Sequence, residues 1–305
     1  MTVSLFQRLL KRSGGSGRLY LEVCPEGLSW SLARNGSATT AGFVTCDTAK
    51  RADALAELVS SSSLSRMSTS LILPLNHYSV FQLERPEELA DTELAGALRW
   101  KLKDLLDYNP SEAVCDVFPF PGDASRGRGT LVNVVAARKA LAADLVNLVS
   151  QAGLTLDNIT IAELALRNFA AALDPQNRGV ALVHLRDSYG QMIICKGPIL
   201  YLSRRLDVTA GDLRDASRQE QAVQSLALEM QRSLDYFESQ LGQVPPRAIH
   251  LVARDAVLPL ASMLSSYMAP VVETIDWSAQ GLGEPLDSRC LSVWSAAQPI
   301  AGGVA

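Results

Sequence analysis

The residues able to do chemistry in this chain sit in a few short stretches. GRLYLEVCPEGLSWSLARNG, residues 17 to 36, reads as strand, turn and strand. A hairpin of this shape can wrap a phosphate with backbone N–H groups when glycines form the bend and a carboxylate and a Lys stand nearby. Here the bend holds Cys24, Pro25, Glu26 and Gly27, with Glu22 and Ser29 beside it. A second stretch, VHLRDSYG, offers His184 as a general base with Asp187 as its orienter, and Arg186 between them. No G-x-S-x-G, H-E-x-x-H or Walker loop supports an enzyme. His77 and His250 fall inside strand-like runs and read as structural. SRGRG, Ser125 to Gly129, lacks a Lys-Ser/Thr ending and lies between two strands, so it reads as a hairpin tip. RPEELADTE precedes a helix, where its carboxylates favour the positive dipole end and cap free N–H groups. The five cysteines, Cys24, Cys46, Cys115, Cys195 and Cys290, are scattered and never form CxxC, which argues against a disulfide framework and a zinc site. No catalytic residue and no metal set is assigned.

The composition suits a globular protein, with 48% apolar and 20% charged residues over 305 positions, enough for two lobes. The net charge of −4 and the lack of a basic stripe interleaved with aromatics exclude nucleic acid as a partner. No apolar run approaches the roughly 18 residues of a membrane span. The cysteine pattern and the absence of a secretory leader predict a cytoplasmic protein. MTVSLFQRLLKRSGGSG carries Arg8, Lys11 and Arg12 beside Leu5, Phe6, Leu9 and Leu10. Residues 1–16 are therefore read as a basic flexible segment, either frayed or resting on anionic lipid.

The elements that must position these stretches follow from periodicity. RLYLEVC, LSWSLAR and SATTAGFVTC predict three strands, with Asn35-Gly36 as a hairpin turn, followed by a helix over KRADALAELVSSSS and a buried strand at TSLILPL. Beyond ERPEELAD, a helix over TELAGALRWKLKDLLDY ends at Asn109-Pro110, and AVCDVFPFP and GTLVNVVAA pair as strands. KALAADLVNLVSQ is a helix closed by Gly153, LDNITI is extended, and AELALRNFAAAL is helical. The plan then repeats: RGVALVHLR, GQMIICKG and PILYLSRRL as strands, a long helix over EQAVQSLALEMQRSLDYFESQL, RAIHLVAR as a strand, VLPLASMLSSYM as a helix and PVVETIDW extended. This duplication predicts a two-lobed α/β fold with a cleft. The predicted organisation is a first lobe over 17–175 with an α+β insertion at about 85–140, a second lobe over 176–286, and a C-terminal helix and tail over 287–305 packing back on the first lobe.

The duplicated β-β-β-α-β-α order resembles the actin and sugar-kinase superfamily, a two-lobed actin-like (ribonuclease H-like duplicated) fold. ELADTELAGALRWKLKDLLDYNPSEAVCDVFPFP is similar to the inserted subdomain of PilM-type type IV pilus assembly proteins. LEMQRSLDYFESQLG followed by IHLVARDAVLPLASML is similar to their second-lobe helix and adenosine-side strand. The likeness runs from about residue 17 to residue 298 and leans toward the branch that builds mannose-sensitive haemagglutinin (MSHA) pili.

This resemblance implies three nucleotide-binding motifs, and the chain departs from each. The first phosphate hairpin should read D-x-G with a Lys following, where Glu22, Cys24 and Ser29 stand. The second should read D-x-G again, where His184 and Arg186 stand with Asp187 one step beyond. The adenosine loop should carry Gly-Gly, where Ala253 and Arg254 stand. The expectation is a degenerate site without cofactor. The alternative is a nucleotide-switched ATPase holding ATP with Mg²⁺ through Arg186 or Arg254. The resemblance implies a scaffold at the inner face of the inner membrane that binds the cytoplasmic tail of a PilN-like bitopic protein, possible other platform proteins aside. Trp100, Leu102 and Leu106 are candidate contacts by position, in a groove between first lobe and insertion. A type II secretion equivalent is disfavoured because the chain ends at PIAGGVA without a transmembrane helix.

Overall fold

A computed structural model describes residues 17–127, 129–254 and 259–299. The basic segment read over residues 1–16 and the last residues of the tail lie outside them. The chain divides into two compact units between Ala162 and Glu163.

In the first unit, β1 (Gly17–Cys24), β2 (Gly27–Arg34) and β3 (Ser37–Thr45) form an antiparallel meander. Asn35 and Gly36, at φ 53° and 80°, make the left-handed two-residue turn that joins β2 to β3. β4 (Ser68–Leu73) pairs in parallel with β1, and β8 (Thr155–Ile161) in parallel with β4, giving the order β3-β2-β1-β4-β8. Every residue of β4 is buried, as befits a strand covered on both faces. The crossover from β3 to β4 is α1 (Arg51–Ser61), which buries Leu55, Leu58 and Val59.

The second unit repeats these signs and this order. β9 (Val180–Leu185), β10 (Gly190–Lys196) and β11 (Ile199–Leu206) are antiparallel, while β12 (Ala248–Ala253) runs parallel to β9 and β13 (Val271–Thr274) parallel to β12. The order is β11-β10-β9-β12-β13. The duplication predicted from element order is thus a duplication of sheet topology.

Between β4 and β8 the first unit carries a separate three-stranded sheet. β5 (Tyr78–Glu84), β6 (Ala113–Pro119) and β7 (Leu131–Arg138) lie in the order β5-β7-β6, and α2 (Asp91–Lys101) covers one face. Leu94, Leu98 and Leu102 pack there on Val132, Val134 and Ala136, with Phe81, Leu83, Leu106, Cys115 and Val117 at the margin. Three expectations are corrected. The insertion begins at Tyr78, because residues 78–84, most of which had been assigned to no element, pair along their whole length with β7. The helix stops at Lys101 instead of reaching Tyr108: Leu102 N donates to Arg99 O and Leu105 N to Leu102 O, a tightened turn that ends the α-helix. Its acidic start also lacks the side-chain cap expected of it. Ala90 occupies that position, while Asp91 and Glu93 lie in the first turn and Asp91 pairs with Arg85 at 2.5 Å.

α3 (Lys139–Gln151) leads from β7 toward β8, and α4 (Ala162–Leu173) follows β8. The division between units falls ahead of α4 rather than at residue 175, because α4 packs with the second unit. Phe169 of α4 stacks on Trp277 at 6.0 Å and meets Trp294 edge-on at 5.0 Å. Trp294 lies on the C-terminal helix α8 (Leu291–Ala296), so that helix packs on α4 within the second unit. Within the second unit, a short α5 (Ala210–Arg214) that periodicity had missed precedes α6 (Gln219–Ser239). The buried stripe of α6 is Val223, Leu226, Met230, Leu234 and Phe237. Between β12 and β13, α7 (Leu260–Ser265) is shorter than the helix read over 257–268, whose first two positions lie outside the described residues.

The insertion's core makes a sharp contrast testable by denaturant unfolding. Leu102→Ala, at a fully buried site, lowers stability by about 2–5 kcal/mol. Trp100→Ala, at a site 57% exposed, changes it by about 0.5 kcal/mol or less.

Candidate functional site

The first phosphate-type hairpin is tighter than a phosphate cradle. Cys24 pairs with Gly27, leaving Pro25 and Glu26 as a two-residue turn, and Pro25 contributes no N–H. Gly27 sits at φ +150°, where a Cβ would run into the carbonyl oxygen of Val44 on β3. Glu22, Cys24 and Ser29 are brought together and buried: Glu22 faces Ser29 across the strands, and Cys24 Sγ lies 3.8 Å from Ser29 Oγ. A residue that sequence reasoning missed closes the turn. Arg51 Nη2, at the start of α1, donates to the carbonyls of Cys24 at 2.7 Å and Pro25 at 3.4 Å. The tip of the hairpin therefore presents carbonyl oxygens held by a cation of its own chain. Burial, with the Arg51 charge adding, also holds His77 below its ordinary pKa.

In the second unit, parallel pairing of β9 with β12 puts Leu185 beside Ala253, which brings the residues after each strand together. Asp187 forms ion pairs with both Arg254 and Arg214. Arg186 is 2% exposed with its guanidinium 5.7 Å over the Tyr189 ring, and its backbone N–H donates to Tyr189 O at 2.9 Å, closing the β9–β10 turn on itself. Arg186 is thus withdrawn from solvent and Arg254 is spent on Asp187. The His184–Asp187 acid–base pair that the sequence would allow is not formed. His184 is 1% exposed, and its Nε2–H donates instead to the Ser288 carbonyl at 2.8 Å, which fixes the tautomer because a carbonyl only accepts. Burial, then the neighbouring Arg186 charge, push His184 from an ordinary 6.5 down to about 3, partly offset by the bond to Ser288. It is a neutral structural histidine.

Beside this cluster, at the carboxyl ends of β12 and β13, is a cavity of about 690 Å³. Arg254, Leu260, Ile275, Trp277, Leu286 and Asp287 are among its lining residues. Burial raises the pKa of Asp287, but hydrogen bonds from Arg289 and the charges of Arg289 and Arg254 outweigh it and hold the carboxyl below its ordinary value. Open α/β sheets bind ligands at this end of their strands. Among the described residues, no group of three His, Cys, Asp or Glu side chains is placed to hold a metal ion. No helix among them is long and apolar enough to cross a membrane.

The three candidate contacts on the insertion separate. Leu102 is fully buried in the core that joins α2 to its sheet, and Leu106 is half-buried against the same core. Leu102 is closed to a partner, and Leu106 is partly open. Trp100, two residues from both Leu98 and Leu102, stands on the opposite side of α2.

No family model matches the sequence, and no curated protein matches it. Solved structures do. A PilM–PilN type IV pilus biogenesis complex superposes with a TM-score of 0.70 at 18% identity, over 92% of this chain and 96% of that one. A Bacteroides thetaiotaomicron protein of unknown function with an actin-like ATPase fold gives 0.56 at 11% identity, over 91% and 95%. The cytoplasmic domain of EpsL, an inner-membrane component of the Vibrio cholerae type II secretion system, gives 0.52 at 14%, over 83% and 94%. The chain has the actin-like fold. Its duplicated five-stranded sheets are the two halves of that fold, and the β5-β7-β6 sheet is an insertion in the first half.

The buried histidine gives a pH signature. His184 binds protons in the unfolded chain below about pH 6.5 but in the folded chain only near pH 3, so its contribution is intact above 6.5 and is lost as pH falls. The stability difference between wild type and His184→Gln is expected to shift against wild type by on the order of 2 kcal/mol between pH 7 and pH 5. Urea midpoints of both proteins across that range measure it.

Proposed function

We propose that this chain is a non-catalytic scaffold of a type IV pilus assembly platform, an MshI-like component of MSHA pilus biogenesis. In this role it is held at the inner face of the inner membrane by the cytoplasmic N-terminal tail of a PilN-like bitopic protein. The observation that carries the reading is its likeness to the PilM–PilN complex along nearly the full length of both chains.

The inserted sheet supplies a surface suited to such a tail. On the face turned away from α2, Val80 is exposed and Val114, Phe118 and Val135 are half-buried, the alternate positions to those packed under the helix. β5 and β6 are its outer strands. An extended segment gains main-chain hydrogen bonds from such an edge while its apolar side chains fill the neighbouring surface. A degenerate nucleotide site agrees with the Pro25 turn held by Arg51 and with Arg254 paired to Asp187. The cavity beside Arg254 favours a second reading, a nucleotide-switched ATPase of the same machinery.

A fluorescent peptide of the PilN-like tail tests the scaffold reading. Val80→Asp and Phe118→Ala are expected to weaken its binding by about tenfold, with Trp100→Ala leaving it unchanged. Unchanged binding in the first two variants contradicts this surface, and no binding by the wild-type chain contradicts the partner.

A further inference from the structure

We propose that the outer face of α2 and the turn after it form a contact site for an anionic lipid surface, centred on Trp100. This inference does not rest on the pilus reading. Trp100 is 57% exposed and Leu105 51%, and both belong to the small inserted sheet's covering segment. The inner side of α2 is fully used by Leu94, Leu98 and Leu102, so the outward direction of Trp100 is fixed by the core beneath it. Gly96, one turn earlier on the same outward face, has open space above it, so no side chain at that position shields the indole.

Charge selects the occupant. Arg99, Lys101 and Lys103 flank Trp100 along the chain, and Asp104 is the one carboxylate in residues 99–105. The Arg99 guanidinium lies 5.1 Å from the Trp100 ring centre. Asp91 and Asp107 are engaged by Arg85 and Arg138, Glu93 stands two turns back on the Trp100 side of α2, and among the described residues no carboxylate pairs with Arg99, Lys101 or Lys103. A positive patch on a chain of net charge −4 is local, and it repels neither a phosphate headgroup nor a carboxylate one. An amphipathic indole with an exposed leucine and flanking lysines matches the headgroup boundary, where the ring is half solvated, the aliphatic group enters the acyl region, and the long basic stems reach back to phosphates. A protein groove would demand a shaped apolar surface around Trp100; α2 offers a single convex ridge. One such contact is of modest strength and is read at high lipid concentration; a second tether near the bilayer strengthens it.

The test is flotation of the full-length chain with vesicles of phosphatidylcholine alone or with phosphatidylglycerol added. Wild type is expected to float with the anionic vesicles only, to be released by raised salt, and to show a blue shift of tryptophan fluorescence that Trp100→Ala removes. Trp100→Ala and the double variant Lys101→Glu, Lys103→Glu are each expected to lose about tenfold in binding while keeping the wild-type melting temperature. Failure of wild type to float overturns the proposal. Wild-type flotation by both variants overturns it in favour of a contact elsewhere on the chain. Loss of tail-peptide binding by Trp100→Ala with flotation intact overturns it in favour of a protein contact.

Discussion

The parallel pairing of a first strand with a fourth, made once between β1 and β4 and again between β9 and β12, governs the rest of this molecule. In each sheet it sets the end of the first strand beside the crossover strand and so fixes what the following turn can meet. In the second unit the outcome is an ion cluster, because Leu185 beside Ala253 brings Asp187 onto Arg254, with Arg214 completing it. In the first unit the adjoining hairpin is closed by Arg51 from the crossover helix. Both turns stand where the actin-like resemblance would put phosphate-binding loops, and both have their polar groups engaged by side chains of the same chain.

That arrangement has an energetic logic. Carbonyl oxygens and buried charges must be satisfied whether or not a ligand arrives, and an internal guanidinium does so permanently. The Asp187 cluster is partly exposed, so its value for stability is modest, and it engages Arg254. His184 follows the same pattern: buried and neutral, it ties β9 to the turn at Ser288 rather than presenting a base.

The duplicated sheets were largely legible because their signals are local. Asn35-Gly36 and the alternation around it specify β1 to β3, and the continuous apolar run at β4 marks a doubly covered strand. β5 was missed because its alternation is short and half exposed, and its identity comes from pairing with β7, 47 to 59 residues away in sequence. The site was less legible for the same reason. Nothing near Arg51 announces the carbonyl of Cys24, and nothing near His184 announces Ser288, since both contacts are made by the tertiary fold. Periodicity placed Leu94, Leu98 and Leu102 on one stripe, yet only the packed sheet decides that Leu102 is core while Trp100 is surface.

We propose that this actin-like chain holds its two turns with internal cations and ion pairs instead of a nucleotide and works through its surfaces. Calorimetric titration with MgATP, with ADP as control, tests it most directly, together with the shift in melting temperature on the same sample. No heat of binding and no thermal shift is the predicted result. A Mg²⁺-dependent shift, worth roughly 2.7 kcal/mol at a hundredfold excess over Kd, would contradict it and would require Arg254 to leave Asp187 for a phosphate.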